Sequence, residues 1–524
     1  MNKITLASLA IMTLAACSKI EMEEPLVQEI EGKKVPQESA RFNPVQLGFI
    51  DLGTTGAAEI SAYDPETKRL FVVNNATTGG VPNARIDVLD LTNPAGPVLL
   101  TSISILPYGA AVNSVSVSNG KLAAAIESNP AQNPGRVVVF KTDNYQVLAN
   151  KEVGALPDMV TFSPDGELIL TANEGEPNSA YTVDPVGSVS IIDVCKGYAV
   201  TTLSFEKFSS RESWLRARGL RIFGKNASFA QDIEPEYVAV SANSKTAWVT
   251  LQENNAIARI DLRSKVIEAI LPLGFKDYSE PGNEMDLSNA DGIKGNFKSW
   301  PVSGMYLPDG IAVVPNSNNP FVYTANEGDA RDYTGFKEEF TLNNDASLLN
   351  PAAFPNPPFD RTALATPAQL GNLKLTSTLG GPDANGAYKK LYSFGARSFS
   401  VWNGNTGQQV FDSRNELDRE WAKQANFDDG RSDDKGAEPE GIVIGRVGNK
   451  TLLFLALERA DAFAIYDVTN PVKPKFQQWI VSGDAPEGIL FIPAENSPNG
   501  KSLVIVSSEN DGTVRIYTTE ELVQ

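Results

Sequence analysis

The chain has no histidine among its 524 residues, and this absence limits the chemistry that it can perform. Without histidine there is no Ser-His-Asp or Cys-His nucleophile, no imidazole general base and no histidine-ligated zinc. Two cysteines are too few for a cysteine metal cluster. Any chemistry must therefore use carboxylates, lysine, arginine, tyrosine, hydroxyl groups or a metal ion held by oxygen.

Carboxylates recur at equivalent positions of a repeated strand pattern. Seven segments open with a polar residue at the start of an apolar strand, namely Glu59, Asn113, Asp158, Glu236, Asp309, Glu440 and Glu487. The next strand of each segment ends in a second polar set, namely Asn75, Glu127, Glu174, Glu253, Glu327, Glu458 and Glu509. Because adjacent antiparallel strands run in opposite directions, these starts and ends lie on the same face. We therefore expect the carboxylates to crowd together there.

Crowded carboxylates repel one another and need compensation, which two kinds of group can supply. One is a divalent cation: with oxygen ligands alone, calcium fits best, and magnesium or manganese fit less well. The predicted metal ligands are Glu59, Asp158, Glu236, Asp309, Glu440, Glu487, Glu253, Glu458 and Glu509. The alternative is a closed network of ion pairs, because Arg331, Arg397 and Arg459 follow or face the same loops.

If this site is catalytic, metal-assisted hydrolysis of a phosphate ester is the most coherent reaction. Arg331, Arg397 or Arg459 would hold the anion, and a carboxylate of raised pKa, Glu174 or Glu327, would move protons. Ser114 and Ser398 offer hydroxyl groups, but their spacing marks neither as the nucleophile. The competing hypothesis is a non-catalytic surface module that binds a glycan, a peptide or a protein.

The segment MDLSNADG is a second candidate for cation binding. Asp286, Ser288, Asn289 and Asp291 resemble part of a calcium loop. The segment lacks the spaced glutamate of an EF-hand, so the pattern favours a capped, solvated loop.

The elements that position these residues repeat along the chain. Residues 157–194 contain three short strands, with the turn SPDGE between the first two. Six other segments repeat this template, and strand-only repeats of this length predict an all-β fold, a seven-bladed β-propeller. The last copy lacks a fourth strand. The N-terminal VQLGFIDL is expected to supply it and so to close the ring.

Four insertions interrupt the repeats, at about 205–232, 275–303, 329–392 and 426–437. In the first, Trp214, Leu215, Leu220 and Phe223 have helix-like spacing, which predicts a short helix on one face of the propeller. The third splits the fifth blade between its second and third strands. Loops of this length in a compact domain are usually functional.

The N-terminus predicts export and anchoring. Residues 1–16 have the basic start and short apolar run of a signal peptide, and the sequence LAAC resembles a bacterial lipobox ending at Cys17. We expect lipidation of Cys17, a flexible tether over 17–41 and the propeller over 42–524. The other cysteine, Cys195, is predicted to be a small buried hydrophobic side chain. The net charge of −19 argues against nucleic acid as a partner, and we expect a monomer.

Several unusual stretches recur in the order seen in one known family. The segments DIEPEYVAVS, WPVSGMYLPDGIAV, YTANEGDARDY and LYSFGARSFSVWN resemble the bacterial choice-of-anchor I family, and the resemblance covers about 42–517. It implies a secreted or surface-attached propeller that shares one domain but uses different anchors. Some relatives carry an alkaline-phosphatase label or the name of a cell-surface glycoprotein. The serine after Cys17 resembles a signal for the outer membrane.

Overall fold

The computed structural model describes residues 44–77, 79–314 and 320–519. Within these ranges the strands form seven four-stranded antiparallel sheets, one five-stranded sheet and one two-stranded sheet. Consecutive four-stranded antiparallel sheets are typical of a β-propeller, so the predicted all-β class is confirmed. The predicted signal peptide, the tether and Cys17 lie outside the described residues.

The first part of the chain forms the N-terminal strand and four sheets. Its strands are β1 (Val45–Asp51), β2 (Ser61–Asp64), β3 (Arg69–Asn74), β4 (Arg85–Asp90), β5 (Val98–Ser104), β6 (Ala111–Ser118), β7 (Lys121–Glu127), β8 (Pro134–Lys141), β9 (Val147–Ala155), β10 (Pro157–Phe162), β11 (Leu168–Asn173), β12 (Ser188–Asp193), β13 (Ala199–Ser204), β14 (Pro235–Val240), β15 (Thr246–Leu251), β16 (Ala256–Asp261) and β17 (Val266–Pro272). Sheet 1 contains β2–β5, sheet 2 β6–β9, sheet 3 β10–β13 and sheet 4 β14–β17.

The second part of the chain forms three further sheets and an added layer. Its strands are β18 (Phe275–Asp277), β19 (Val302–Met305), β20 (Ile311–Val313), β21 (Phe321–Asn326), β22 (Asp332–Tyr333), β23 (Phe336–Lys337), β24 (Glu339–Phe340), β25 (Leu375–Thr376), β26 (Leu391–Ser393), β27 (Ser398–Asn403), β28 (Gln409–Asp412), β29 (Pro439–Val447), β30 (Lys450–Leu457), β31 (Ala462–Asp467), β32 (Lys475–Val481), β33 (Pro486–Ile492), β34 (Leu503–Ser508) and β35 (Thr513–Thr518). Sheet 5 contains β20, β21, β27 and β28, sheet 6 contains β29–β32, and sheet 7 has the order β33, β34, β35, β1.

Helices are short in the described part of the chain. The α-helices are α1 (Glu212–Arg216), α2 (Arg361–Leu364) and α3 (Glu416–Trp421). The 3-10 helices are Val194–Lys196, Glu206–Arg211, Ala346–Leu348, Asp429–Arg431 and Glu458–Ala460.

The turn between β10 and β11 shows how the repeated sequence closes a hairpin. The Ser163 hydroxyl donates to Asp165 Oδ1 at 2.6 Å and accepts from the Leu168 N–H at 2.9 Å. Gly166 has a φ of +73°, which glycine adopts without steric cost, and its N–H donates to the Ser163 carbonyl at 2.8 Å. The turn chemistry predicted from SPDGE is therefore present.

The core lies between neighbouring sheets, so the second and third strands are buried on both faces. Between sheets 5 and 6, Phe399 and Tyr466 pack edge to face with ring centroids 4.6 Å apart. They belong to one buried cluster with Leu453 and Leu455 of β30. This two-sided burial explains why the second strands have continuous apolar sequences rather than alternating ones.

The first strands of the seven sheets contact one another in chain order, and β33 of sheet 7 contacts β2 of sheet 1. At three of these contacts a glycine packs against a carbonyl of the next sheet, where a Cβ would lie 2.1–2.3 Å from the carbonyl oxygen. The pairs are Gly310 with Glu440, Gly441 with Glu487, and Gly488 with Glu59. Each of these glycines follows a predicted metal ligand, so the Asp-Gly and Glu-Gly pairs allow neighbouring sheets to approach closely.

The strand predicted from VQLGFIDL is β1, and it pairs antiparallel with β35. Val45 lies opposite Thr518 and Asp51 lies opposite Thr513. Sheet 7 therefore has its three inner strands from the end of the described chain and its outer strand from the beginning.

Two of the predicted insertions combine into a layer that sequence reasoning did not foresee. Strands from 275–303 and 329–392 form one five-stranded sheet, the insertion sheet, in the order β18, β19, β26, β25, β24. Its buried core includes Tyr278, Trp300 and Leu342. The longer insertion leaves sheet 5 after β21 and returns at β27, and these two strands pair directly.

The prediction of a short helix is confirmed in part, and the prediction for Cys195 was wrong. The helix is present but spans only Glu212–Arg216, and it contacts β17, the outer strand of sheet 4. Leu220 and Phe223 lie beyond its end because Gly219 has a φ of +104°. Cys195 is exposed rather than buried, since it lies in the turn that follows β12.

Candidate functional site

The polar residue at the start of the first strand lies in a local irregularity of the sheet. In five sheets the register shifts at this residue, between Val112 and Ser114, Pro157 and Val160, Pro235 and Val238, Pro439 and Ile442, and Pro486 and Gly488. Bulges of this kind redirect side chains and are common beside functional sites. Asn113, Asp158, Glu236, Glu440 and Glu487 are the residues inside these shifts.

A left-handed residue followed by a proline precedes several of the acidic starts, among them Asp158, Glu440 and Glu487. Leu156, Glu438 and Ala485 each precede a proline and have φ between +46° and +53°. Their carbonyls accept the backbone N–H of Glu174, Glu458 and Glu509 at 2.8, 3.0 and 2.9 Å, respectively. The backbone therefore links the end of the second strand to the start of the first strand.

Three groups of acidic side chains bring carboxylate oxygens within 4.8 Å of one another in the described residues. The groups are Glu174, Glu236 and Glu253; Asp309, Glu327 and Glu440; and Glu327, Glu438 and Glu458. We call the first the three-glutamate cluster. Seven of these eight residues were predicted as metal ligands or proton carriers, and Glu438 was missed.

Burial raises the pKa of these carboxylates, and neighbouring carboxylates raise it further. The pKa of Glu59 is raised to about 8, mainly by burial and then by the charge of Glu509. Burial likewise raises the pKa to about 7 at three others, namely Asp158, Glu253 and Glu458. The pKa is raised well above its usual range at Glu174, Glu236, Asp309, Glu440 and Glu487. Protonation of some of these carboxylates is therefore one way in which their combined negative charge is limited.

At two of the repeated polar positions the side chain is an amide rather than a carboxylate. Asn75 Nδ2 donates to Glu59 Oε2 at 2.9 Å and to the Val112 carbonyl at 2.8 Å. Asn113 Nδ2 donates to the Pro157 carbonyl at 3.2 Å. In sheets 1 and 2, these neutral donors therefore occupy positions where other sheets have carboxylates.

Lys435 supplies a positive charge that sequence reasoning missed. Its Nζ lies 3.1 Å from Glu327 Oε1, 3.0 Å from Asp329 Oδ1 and 3.5 Å from Glu438 Oε2. Gln252 Nε2 donates to the other Glu327 oxygen at 2.6 Å. The only signal for this contact was a single lysine inside the acidic segment NFDDGRSDDKGA.

Arg459 lies at the site, as predicted, but it already contacts two carboxylates. Its Nε is 3.2 Å from Glu438 Oε2 and its Nη1 is 2.5 Å from Glu458 Oε1. Arg431 also bonds to Glu438. Glu438 thus pairs with three cationic side chains, counting Lys435, which satisfies its charge.

The structure does not support Arg331 as a binder of external anions. The side chain is buried, and its guanidinium bonds to Asp232 and lies 2.7 Å from Glu234 Oε2. Its Nη2 also donates to the Asp232 carbonyl at 2.9 Å. Glu234 was missed, although the sequence EPE places it two residues before Glu236.

Arg397 is also enclosed, in a different place from the carboxylate groups. It donates to the carbonyls of Asp286, Ser432 and Asp434 at 2.6–2.9 Å. Asp418 lies 3.5 Å away as its ionic partner. The proposed role of Arg397 in anion binding therefore has no support, because its donors hold loops together.

The other chemical candidates have structural partners. In the MDLSNADG segment, Asp286 accepts from the Asn296 N–H at 2.7 Å and Asp291 accepts from Asn296 Nδ2 at 2.6 Å. These bonds fit the capped loop. Ser398 is buried and donates to Asp412 at 2.8 Å, and Ser114 is 3% exposed. Neither hydroxyl is placed as an open nucleophile.

A groove of about 870 Å³ lies between the insertion sheet and the outer strand of sheet 5, away from the carboxylates. Its lining combines aromatic, polar and charged side chains, among them Phe275, Tyr306, Gln409, Phe411 and Arg414. Gln409 Nε2 donates to the Tyr306 hydroxyl at 2.8 Å. Sequence reasoning missed this groove because the 275–303 insertion must pack beside the outer strand of sheet 5 to form it.

A buried lysine fixes the floor of this groove. Lys276 Nζ lies 2.9 Å from Asp412 Oδ1. It also donates to the carbonyls of Ala396 and Arg414 at 2.9 and 2.6 Å. These bonds join β18 to both ends of the segment that carries β27 and β28.

Two curated relatives resemble parts of the chain. Gigasin-3a from Magallana gigas is 28% identical over 184 residues, 29% of this chain and 64% of that protein. The mesenchyme-specific cell surface glycoprotein of Strongylocentrotus purpuratus is 26% identical over 331 residues, 52% of this chain and 42% of that protein. The chain therefore spans less than two thirds of the length of either relative.

Solved structures with similar folds have very different sequences. Kuenenia stuttgartiensis hydrazine synthase gives a TM-score of 0.47 at 11% identity, over 89% of this chain and 97% of that one. The Myceliophteria thermophila Cps50 (Swd1) β-propeller domain gives 0.45 at 8% identity, over 91% and 100%.

The choice-of-anchor I domain matches residues 59–471. This range includes the first strands of sheets 1–6 and all three acidic groups. Because the match covers most of the chain, the protein belongs to the choice-of-anchor I family.

Proposed function

We propose that this protein is a non-catalytic binding module of the cell surface, and that it binds a glycan in the groove beside sheet 5. Membership of the choice-of-anchor I family indicates a surface protein. The groove itself is the observation that carries the proposal. Its volume of about 870 Å³ is large enough for a small oligosaccharide.

The lining of the groove suits sugars. Aromatic side chains offer apolar faces to sugar rings, and the half-buried Phe275 and Phe411 supply such surface. Amide, carboxylate and guanidinium groups can bond to hydroxyl groups, and Gln409, Asp412 and Arg414 supply them. The internal bonds of Lys276 hold the floor in place, so little ordering is needed on binding.

The scaffold in this proposal is a closed, seven-bladed propeller. The seven four-stranded sheets, the chain-order contacts of their first strands and the pairing of β1 with β35 support it. A closed ring leaves its sheets without open inner edges and can carry large insertions. One wall of the groove is formed by such an insertion, 275–303.

Glycan binding can be tested by screening the full-length protein against a glycan array and titrating the hits. Gln409 and Arg414 line the groove and are exposed, so their removal leaves the core intact. We expect Gln409→Ala with Arg414→Ala to weaken binding by about tenfold or more. Arg136→Ala is the control, because Arg136 is exposed and outside the groove. Affinity that is unchanged in the groove variant would refute the assignment.

Phosphoester hydrolysis is the weaker proposal. It requires arginines that can receive a phosphate, and Arg331 and Arg397 are buried with protein partners. Arg459 has its guanidinium on Glu438 and Glu458. Turnover of a phosphate monoester that is lost in Glu327→Gln would favour the hydrolase over the binding module.

The attachment proposed is lipidation of Cys17, with the outer membrane as the destination. Among the described residues, none of the helices is both long and apolar enough to cross a bilayer. A lipid chain on Cys17 and the 17–41 tether would then hold the propeller at the surface.

A further inference from the structure

We propose that Glu174, Glu236 and Glu253 bind one calcium ion. The three residues come from two neighbouring sheets: Glu174 follows β11 of sheet 3, Glu236 lies in β14 of sheet 4, and Glu253 follows β15 of sheet 4. This site is separate from the groove and goes beyond the proposed function.

The geometry of the cluster fits a single ion. Each glutamate offers a carboxylate oxygen, and these oxygens lie within 4.8 Å of one another. Two oxygens on opposite sides of Ca²⁺, each at about 2.4 Å, would be about 4.8 Å apart. An ion between them therefore needs little rearrangement of the protein.

Burial leaves two oxygens of the cluster without any bond. Glu236 is 8% and Glu253 is 5% exposed, and Glu174 is 9% exposed. In the described part of the chain, Glu236 Oε2 and Glu253 Oε2 have no hydrogen-bond partner. A buried, unbonded carboxylate oxygen is costly, and a bound cation would remove that cost.

The other two acidic groups differ because they contain side-chain cations. Lys435 lies 3.1 Å from Glu327, and Glu438 pairs with Arg459 and Arg431. In the three-glutamate cluster, no lysine or arginine of the described residues forms an ion pair with a member. The nearby Arg331 is engaged by Asp232 and Glu234. Glu440 Oε2 also lacks a hydrogen-bond partner, but Lys435 already pairs with Glu327 of its group. We therefore place the ion among the three glutamates that have no cationic partner in the described chain.

The ligand chemistry favours calcium over other common metals. Three carboxylates provide up to six oxygens, and Ca²⁺ accepts six to eight oxygen ligands. Zinc, copper and nickel prefer nitrogen or sulfur ligands, and the chain has no histidine. Mg²⁺ demands a smaller, regular octahedron and retains several waters.

Calorimetric titration of CaCl₂ into chelator-treated, full-length protein at pH 8 tests the site. We expect one ion per chain. Glu253→Gln removes one ligand charge with little change of shape, and we expect it to weaken binding by about tenfold or more. Glu458→Gln is the matched control: Glu458 follows the second strand of sheet 6 as Glu253 follows that of sheet 4, but it is paired with Arg459, so the affinity for calcium should change less than about threefold.

Three outcomes would overturn the assignment: no binding heat, binding that survives Glu253→Gln, or equal loss in Glu253→Gln and Glu458→Gln. Circular dichroism of each variant checks its folding. If Glu253→Gln does not fold, Glu236→Gln replaces it and is judged by the same criteria. Groove variants such as Arg414→Ala should bind calcium normally, so a failed glycan assay and a failed calcium titration remain distinguishable.

Discussion

At the residue scale, the sequence EPE gives its two glutamates opposite roles. In both copies the first glutamate, Glu234 or Glu438, pairs with arginine. The second, Glu236 or Glu440, lies in the register shift of the first strand and joins an acidic group. The proline between them lacks an N–H, so it tolerates the interrupted ladder. The same tripeptide therefore supplies one glutamate that is paired with arginine and one glutamate that joins an acidic group.

Glu59 predicts how stability depends on pH. Its pKa is raised to about 8 in the folded protein from an ordinary value near 4.5. Between these values the folded state keeps a proton that the unfolded state has released, so stability falls as pH rises. We expect the free energy of unfolding of Glu59→Gln to fall less steeply from pH 5 to pH 8, by about 1–2 kcal/mol. Urea denaturation with chelator at each pH measures it.

The control for this experiment is Glu152→Gln. Glu152 is 66% exposed and has only a 3.9 Å contact with Arg136. We expect its pH profile to follow that of the wild type. Parallel profiles for Glu59→Gln and the wild type would show that Glu59 ionises normally.

At the scale of elements, one buried ion pair joins two insertions that are far apart in sequence. Arg221 and Glu338 are both fully buried, and they bond to each other. Thr376 Oγ1 donates to Glu338 at 2.6 Å, and the Arg221 guanidinium lies 4.0 Å from the centre of the Phe223 ring. This pair fixes the first insertion to the insertion sheet.

Removing one member of this pair should destabilise the protein strongly. Arg221→Leu leaves Glu338 charged and buried, so we expect a loss of about 3–5 kcal/mol in urea denaturation. The double variant Arg221→Leu with Glu338→Leu should lose less, because no unpaired charge remains. Arg136→Leu, at an exposed pair, should cost about 0–1 kcal/mol. A double variant as unstable as the sum of the single variants would contradict this account.

The blade strands could be predicted from sequence, but the insertions could not. Turn residues such as Gly166 and continuous apolar second strands are local signals, and they placed the template strands correctly. Strands β24 and β25 have two residues each, and their pairing depends on contacts across the chain. A strand of two residues is too short to show the alternation of polar and apolar residues by which strands are recognised in a sequence.

The acidic positions of the site could also be predicted, but their cationic partners could not. Lys435 is 108 residues from Glu327 in sequence, and only the folded chain brings them together. Arg397 has a φ of 52°, which departs from strand geometry and redirects its side chain. The strand pattern therefore could not predict that the Arg397 side chain donates to the carbonyls of Ser432 and Asp434.

At the scale of the whole molecule, the proposed ring would depend on close contacts between sheets as much as on the strand pairing in each sheet. Gly488 of sheet 7 packs against the Glu59 carbonyl of sheet 1, and a Cβ at Gly488 would lie 2.1 Å from that oxygen. Sheet 7 also contains strands from both ends of the described chain. This contact lies where the last sheet meets the first.

Gly488→Ala should therefore destabilise the whole molecule rather than one loop. The added methyl group must push the two backbones apart, which we expect to cost about 1–3 kcal/mol of unfolding free energy and to lower the melting temperature. Gly96→Ala is the matched control, because a Cβ there would lie 3.4 Å from the flexible Asn93 amide and would displace no backbone. Calorimetric melting should show one shifted transition for Gly488→Ala and almost none for Gly96→Ala. If both variants melt like the wild type, sheets 7 and 1 are not in close contact, and the closed ring is wrong.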